Sequence, residues 1–557
     1  MYRNDSHTPR FLEFGLPFGG CLDPENRWIN KAALIPWSLV EKEYLNQLSG
    51  STNGSPAVKA RLAFGAILIK EELQLSDRET VEQIRENPYL QFFVGLEGFQ
   101  TEAPFDASLM VAFRKRFPLE SMNRINEAMV LAAMKPEQKK PSDQEESLAN
   151  DSKNVSKDSS LEANKTEEAK PENQGKLIVD ATWTPADIRY PTDLSLLNEA
   201  REKTEEIIDI LYGNQPGNSP KPRTYRKKAR QDYLAVAKKK KRSYKLIRQA
   251  IRKQLGYLNR NLGYIQTLLE TVSLGVLKWS LHRALRVIHE LYRQQKIMYA
   301  TRTKRIDDRI VSIWFPHVRP IKRGKANADT EFGAKLHVSM VQGFVFVERI
   351  DWNHFNEGTD LIPTMENYRR RFGYYPESVH ADKIYRHRKN LDYCKKNGIR
   401  LSGPTLGRPP KNTIILEEQK QLARQDEIDR IPIEGKFGQG KRRYGLARIM
   451  AKLPETSTTV ISLSLFVMNL HKIFTLCNLK GSFLPVLLWI WRVMKAVQTR
   501  SRAVYAKSPR FYGHSPLLYG NRYTPARFTE RRPYDFEWNK TLSASPIYFI
   551  SIHDGKR

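Results

Sequence analysis

Three carboxylates stand out for where they fall in the chain. Asp180 closes the apolar run "LIVD" at 177–180, Asp382 closes the short strand-like run "ESVHAD", and Glu434 lies near an expected helix start. A single acid at a strand end is most often a turn former or a cap. Three acids converging from neighbouring elements can do more. Mg²⁺ takes oxygen ligands and keeps several waters and substrate phosphates. Two such ions about 4 Å apart activate a nucleophile and stabilise the leaving oxygen of a phosphodiester. Other residues compete for attention. Asp351 also follows an apolar run, "FVFVERID", but Asp382 is preferred because a helix follows it directly. Asp187 and Asp193 fit a loop and the cap of a helix starting near Leu194. His337, His354, His380 and His387 show no metal-ligand spacing. Trp183 and Tyr190 fit either stacking on a flipped base or core packing.

The chain around these acids is long and basic. Its 557 residues suggest several domains, and 40% hydrophobic with 10% aromatic content supports real cores. Lys and Arg number 92 against 61 Asp and Glu, a net +31. Such a surplus points to a polyanionic partner, because cations that neutralise phosphates release condensed counterions. A membrane surface is the other polyanion, but no 18-residue apolar stretch is apparent. The run "FLPVLLWIW" at 483–491 is too short to span and contains Pro485. The N-terminus "MYRNDSHTPRF" lacks the apolar core of a secretory signal. Cys21, Cys394 and Cys477 are scattered, which argues against a disulfide framework or zinc site and for a reducing cytosol.

Periodicity predicts the elements that must position the acids. Residues 1–135 read as helical: "AVKARLAFGAILIKEELQL" has apolar residues at helical spacing, and Ser76 with Glu79 forms a capping box for the next helix. The pair is either a helix-turn-helix reader or an ordinary helical hairpin. "FDASLMVAFRKRFP" adds another helix. Residues 136–175 are polar, and we expect a disordered linker. Residues 201–320 are helical and basic; within 221–260, 16 Lys and Arg stand against one acid, Asp232. That imbalance is too great for an ordinary solvated face, and phosphates would relieve it. From 330 the period changes. "EFGAKLHVSMVQGFVFVERIDW" reads as two strands joined at Gln342–Gly343, followed by a helix stopping near Gly373, a strand, a helix and the short strand "RLSG". The tail, 500–557, interleaves Arg with aromatics, which suits either nucleic-acid stacking or a loop over a domain.

These motifs resemble the DDE transposases of bacterial insertion sequences. "FGGCLDPENRWI", "GAILIKEELQLSDRETVEQIRENPYLQFFVGL" and "PFDASLMVAFRKR" are similar to that family's helical N-terminal domain. "DATWTPADIRYPTDLSLLNEARE" resembles the segment around its first catalytic Asp, here Asp180, and "VHADKIYRHRKN" the second, here Asp382. "RIPIEGKFGQGKRRYGL" resembles the third, in which Arg430, Glu434 and Lys441 keep the family's spacing while Glu427 occupies the Tyr position. Ile384 stands where a small residue is common.

The resemblance implies an α/β fold: an RNase H-like mixed-sheet catalytic core interrupted by a large helical insertion, with an all-α N-terminal domain. The interval from Asp180 to Asp382 is roughly four times that from Asp382 to Glu434, so the insertion falls after the first strand. The expected boundaries are a DNA-binding domain over 1–135, linker 136–175, first core strand 176–200, basic insertion 201–320, remaining core 321–480 and basic extension 481–557. The resemblance also implies that Asp180, Asp382 and Glu434 bind two Mg²⁺, with Mn²⁺ as a substitute. Arg430 and Lys441 would hold phosphates, Tyr385 and Arg386 would contact the scissile strand, and Lys239, Lys240 and Arg242 would clamp DNA from the insertion. Gly435, Gly438 and Gly440 argue against a long regular helix around Glu434. The expected partner is double-stranded DNA, as terminal inverted repeats and target, met by a homodimer on DNA in the cytoplasm. An inactive DNA-binding relative and an RNase H-like nuclease without strand transfer are the alternatives.

Overall fold

The computed structural model describes residues 13–17, 20–48, 56–134, 172–217, 220–325, 328–403 and 413–478. The expected linker, up to 171, and the extension with its apolar run 483–491 lie outside them.

The N-terminal region is all helix. It runs α1 (Arg27–Leu34), α2 (Trp37–Leu45), α3 (Ala60–Leu73), α4 (Asp77–Glu86), α5 (Pro88–Phe93), α6 (Leu109–Lys115) and α7 (Leu119–Met134). The capping box is present: Ser76 accepts from the Glu79 amide, and Glu79 accepts from the Ser76 amide. α3 is buried on nearly every side, which makes it the centre of this region.

The core sheet is mixed. β1 (Lys176–Pro185) lies between β3 (Ala328–Val341), its antiparallel partner, and β5 (Ser378–His380), its parallel partner. β6 (Arg400–Leu401) extends the parallel side; β2 (Pro320–Lys325) and β4 (Phe344–Asp351) both pair antiparallel with β3. The β3–β4 hairpin turns at Gln342 and Gly343, as the sequence predicts. Both adopt positive φ, the conformation that a two-residue hairpin of matching twist requires. α12 (Leu361–Phe372) ends at Gly373, and α13 (Arg388–Lys396) follows β5.

The helical block begins at Asp193 rather than at 201: α8 (Asp193–Gly213), α9 (Arg226–Ala237), α10 (Tyr244–Leu269) and α11 (Trp279–Thr301). It has a core of its own. Leu255, Leu258, Leu262 and Ile265 of α10 pack against Leu197, Ile207 and Ile208 of α8 and Leu281, Leu285 and Ile288 of α11. The cap of α8 is Thr192; Asp193 instead accepts from Gln295 at 2.9 Å and Arg309 at 2.6 Å, tying the block's first helix to its last turns.

α14 (Thr413–Arg443) and α15 (Pro454–Asn478) complete the described chain. By length and composition α15 could cross a membrane, contrary to the expectation that no such stretch exists. Its apolar side chains, Ile461, Leu465, Phe466, Val467 and Leu470 among them, belong to the same core as α3 and β4. Its polar ones bond to both sides. Thr459 donates to the Arg114 carbonyl at 2.9 Å, and Ser464 to buried Glu71 at 2.8 Å. Asn469 exchanges hydrogen bonds with the Val345 backbone and donates to Asn126.

One buried core therefore joins the N-terminal helices to the sheet. An ion-pair cluster reinforces it: Arg371 bonds Glu348 at 2.6 Å and Glu127 of α7 at 2.7 Å, with Arg371 and Glu348 each 3% exposed. Removing one member leaves its partners charged and buried, at a cost of about 3–5 kcal/mol. Arg371→Ala is expected to lower the melting temperature by several degrees. A double replacement, Arg371→Met with Glu348→Leu, is expected to recover much of the loss; thermal unfolding of the two variants checks this.

Candidate active site

β1 and β5 run side by side, with Ile178 opposite His380. Two residues on from that pair lie Asp180, in the middle of β1 and not at the strand end the sequence suggests, and Asp382, just past the end of β5, so the parallel pairing brings the two acids near each other. Leu177 and Val179 point into the core. Alternation puts Ile178 and Asp180 on the opposite face.

α14 supplies the third acid. It is held to the sheet by a row of polar contacts upstream of Glu434. Asp426 bonds Arg400 of β6 at 2.8 Å and faces His380 of β5 at 3.4 Å; Asp429 bonds Lys176 of β1 at 2.6 Å. Burial pushes the His380 imidazole below its ordinary range, partly offset by Asp426, so the ring is neutral at neutral pH. Ile433, one turn on, is fully buried in the core. These anchors explain a departure from expectation. Glu434 is not near a helix start but deep within a 31-residue helix that continues through Gly435, Gly438 and Gly440, with Pro432 inside it. Tertiary packing outweighs the propensity cost of these residues. Gly440 has a separate reason: a Cβ there would sit 2.7 Å from Leu446 Cδ1.

Arg430 links the acids. Its guanidinium lies 3.8 Å from Asp382 and 3.4 Å from Glu434, four residues on along the same helix face. Asp180 feels the same cation, but burial dominates and pushes its carboxyl up to about 6. The Ala181 amide donates to it at 2.8 Å. A fourth carboxylate, Glu357, opens a 3₁₀ turn over Glu357–Asp360 and adds, with Asp382, to the negative potential at Asp180. Lys335 lies 3.6 Å from Glu357. Sequence reasoning missed Glu357, although Gly358 beside it carried a signal. A Cβ at 358 would meet the Ile384 carbonyl at 2.6 Å, so a glycine lets this turn approach the one that follows Asp382.

The remaining expected site residues divide. Lys441 lies two helical turns beyond Glu434, on the same side of α14. Lys239 and Lys240 are exposed between α9 and α10, whereas Arg242 closes that turn by bonding the Ala237 and Lys239 carbonyls, both at 2.9 Å. Tyr385 and Arg386 are engaged by the protein itself. Tyr385 is fully buried and stacks on His337, and burial pushes its phenol far up. Arg386 donates to the Leu401 and Ser402 carbonyls, bracing the end of β6. The "DKIYR" segment folds as a single 3₁₀ turn, Lys383–Tyr385, which rotates both side chains inward.

Whether this set suits a divalent cation can be judged from its donors. They are hard carboxylate oxygens, the kind Mg²⁺ and Mn²⁺ prefer. A guanidinium already sits among them, so a positive charge is stabilised there. Among the described residues no three His, Cys, Asp or Glu side chains are drawn together closely enough to hold a metal ion, and Arg430 lies within 4 Å of both Asp382 and Glu434. The donor chemistry fits; the shell is filled by Arg430.

Residues 379–471, which contain Asp382, Arg430 and Glu434, match the family "Transposase DDE domain". Residues 18–116 match "Transposase domain (DUF772)". A curated relative, "Uncharacterized protein ORF8 in nfe locus" of Rhizobium meliloti, is 32% identical over 179 residues, which is 32% of this chain and 71% of that protein. The chain belongs to the insertion-sequence DDE transposases. No solved structure matches it. The transposase core is an α/β mixed sheet beside a helical N-terminal region, as expected from sequence. Asp180 and the helical insertion fall outside both matched stretches, so the reading of Asp180 rests on its geometry.

The raised Asp180 carboxyl makes a signed prediction. Its reference value is 3.8 and its folded value about 6. Below pH ~4 the group is neutral in both folded and unfolded chains, and stability is unaffected. As pH rises the unfolded state ionises first, so stability falls across this window and the cost is complete above about 6. Two units set an upper bound of about 3 kcal/mol, reduced by the partial solvent access of the side chain. In chelator, Asp180→Asn is expected to melt a few degrees above wild type at pH 8 and with it at pH 4. Melting curves at the two pH values decide this.

Proposed function

We propose that this transposase cleaves DNA at the ends of its element and joins the freed 3′-hydroxyl to target DNA, using Asp180, Asp382 and Glu434 as its metal-binding carboxylates. The observation that carries the reading is the shared cation position: one guanidinium reaches Asp382 and Glu434 and lies in the field of Asp180. Two Mg²⁺, or Mn²⁺, bound by the three acids would supply an activated attacking oxygen and stabilise the leaving oxygen. The protein's own residues do the rest. Asp180 has to be ionised to bind a cation; burial opposes that, and the cation's own charge favours it. Arg430, released from the carboxylates, can grip a phosphate in bidentate fashion, and Lys441 can add a point charge two turns along α14. Glu357 raises the negative potential that draws the cation in. Tyr385 and Arg386 position the Asp382 turn from beneath. The exposed lysines at 239 and 240 let the insertion press on the duplex backbone. Two element ends have to meet, which favours a homodimer on DNA, working in the cytoplasm.

A strand-transfer assay tests this. Labelled terminal-repeat duplex, a supercoiled target plasmid and Mg²⁺ are incubated with wild type, Asp180→Asn, Asp382→Asn and Glu434→Gln. Joined product is expected from wild type alone, with each variant down at least about a hundredfold, the scale of losing one group that stabilises transition-state charge. Binding without cutting by the wild type would point to an inactive relative, and nicking without joining to a nuclease. Wild-type joining by Glu434→Gln would overturn the assignment of that residue.

A further inference from the structure

A second face of α14 lines a cavity of about 470 Å³ shared with α1, the end of α3 and α15. Lys436, Gln439 and Arg443 line it from α14, Arg27 and Lys31 from α1, and His471 and Lys472 from α15. Its charge is one-sided. Lys31, on the buried floor, pairs with Glu72, which His471 also approaches at 3.3 Å; His471 is bonded to Tyr444 at 2.9 Å. That network leaves Arg27, Lys436, Arg443 and Lys472, and among the described residues no carboxylate pairs with any of them. Lys472 instead donates to the Gln342 carbonyl and lies 4.2 Å over the Phe344 ring. Burial and the neighbouring Lys436 push its ammonium down to about 8, and burial lowers Lys436 as well. Cations crowded into a concave, partly desolvated space without counter-charge are held at a cost that an anion would relieve.

We propose that this cavity is a phosphate pocket that grips the backbone of the bound duplex on the flank of α14 opposite Glu434. The inference rests on the transposase reading for its ligand, but on separate residues. Arg27, Gln439 and Arg443 at the rim are exposed, so a chain-like polyanion can run through, where a closed site would select a small ion. The pocket shares α14 with Glu434, and Arg443 lies nine residues beyond it, two and a half turns on and so on the opposite flank of the helix. The offset is about 14 Å along the axis together with the roughly 10 Å width of the helix. A duplex that crosses over α14 reaches both flanks. A single rigid helix would thus fix the distance between the reacting phosphodiester and a second, non-reacting phosphate. Binding energy taken there orients the substrate without touching the chemistry.

The test measures binding alone, by fluorescence anisotropy of a terminal-repeat duplex in chelator across a salt series. Lys436→Gln with Lys472→Gln is expected to weaken binding about tenfold or more and to flatten the slope of log K against log salt by about one to two. Lys436→Arg with Lys472→Arg is expected to keep the wild-type slope. Neutral methylphosphonate linkages placed one at a time should cost wild type affinity at one or two adjacent positions set apart from the cleaved bond, and cost the double Gln variant nothing further there. An unchanged slope with an unchanged methylphosphonate pattern overturns the proposal. So does protection of wild type, but not the Gln variant, from thermal unfolding by sodium pyrophosphate when the DNA slope is unaltered, since the pocket would then serve a small anion. A Gln variant that melts well below wild type is replaced by Lys436→Gln alone, read by the same slope. Wild type that binds but fails to cut sinks the proposed reaction and leaves the pocket standing.

Discussion

The lateral hold on α14 is the constraint on which the site depends. Two acids on that helix, Asp426 and Asp429, reach across the parallel edge of the sheet to Arg400, His380 and Lys176. Each partner comes from a different strand, so the helix cannot slide or roll without breaking contacts to all three. Downstream the same helix carries Arg430 and Glu434, and Ile433 between them is sealed in the core. Placement of Glu434 thus depends on contacts made upstream of it. The neutral His380 matters here, because a charged imidazole would compete with Arg400 and Lys176 for the same two acids.

The acids differ in exposure and share one cation. Asp382 and Glu434 are more than half exposed, Asp180 is mostly buried, and Arg430 bridges the exposed pair. Desolvating one acid while leaving the others wet gives it a high proton affinity and, by the same physics, a high demand for a cation once ionised. A guanidinium tethered on a long side chain satisfies the exposed acids.

Local patterns in the sequence were enough to read the elements, and long-range packing was not. The capping box at Ser76, the turn at Gln342–Gly343 and the stop at Gly373 each rest on a few adjacent residues, and each is present. The strand that carries Asp180 was legible for the same reason, but not its length: β1 continues through "ATWTP" to Pro185, which leaves Asp180 in mid-strand and not at the end. Glu434 in mid-helix was not, because propensity reads Pro432 and three glycines as breakers, whereas contacts from three distant strands hold the helix together. Tyr385 and Arg386 stand beside Asp382 in the chain, yet a single 3₁₀ turn swings them inward. Glu357 joins the site through a glycine contact between two turns that no periodicity reports.

The placement of α15 has a bearing on how the chain is made. This helix is the last described element, yet its side chains bond α3, α6, α7 and β4 and fill the core between them. Ribosomal synthesis delivers the N-terminal helices first, with a large apolar face still uncovered. Those helices have to wait, partly collapsed, for a segment several hundred residues downstream. Such long sequence separation slows folding and lengthens exposure to aggregation. A nascent chain cut short before α15 would lack the piece that closes both halves at once, so competence arrives late and all together.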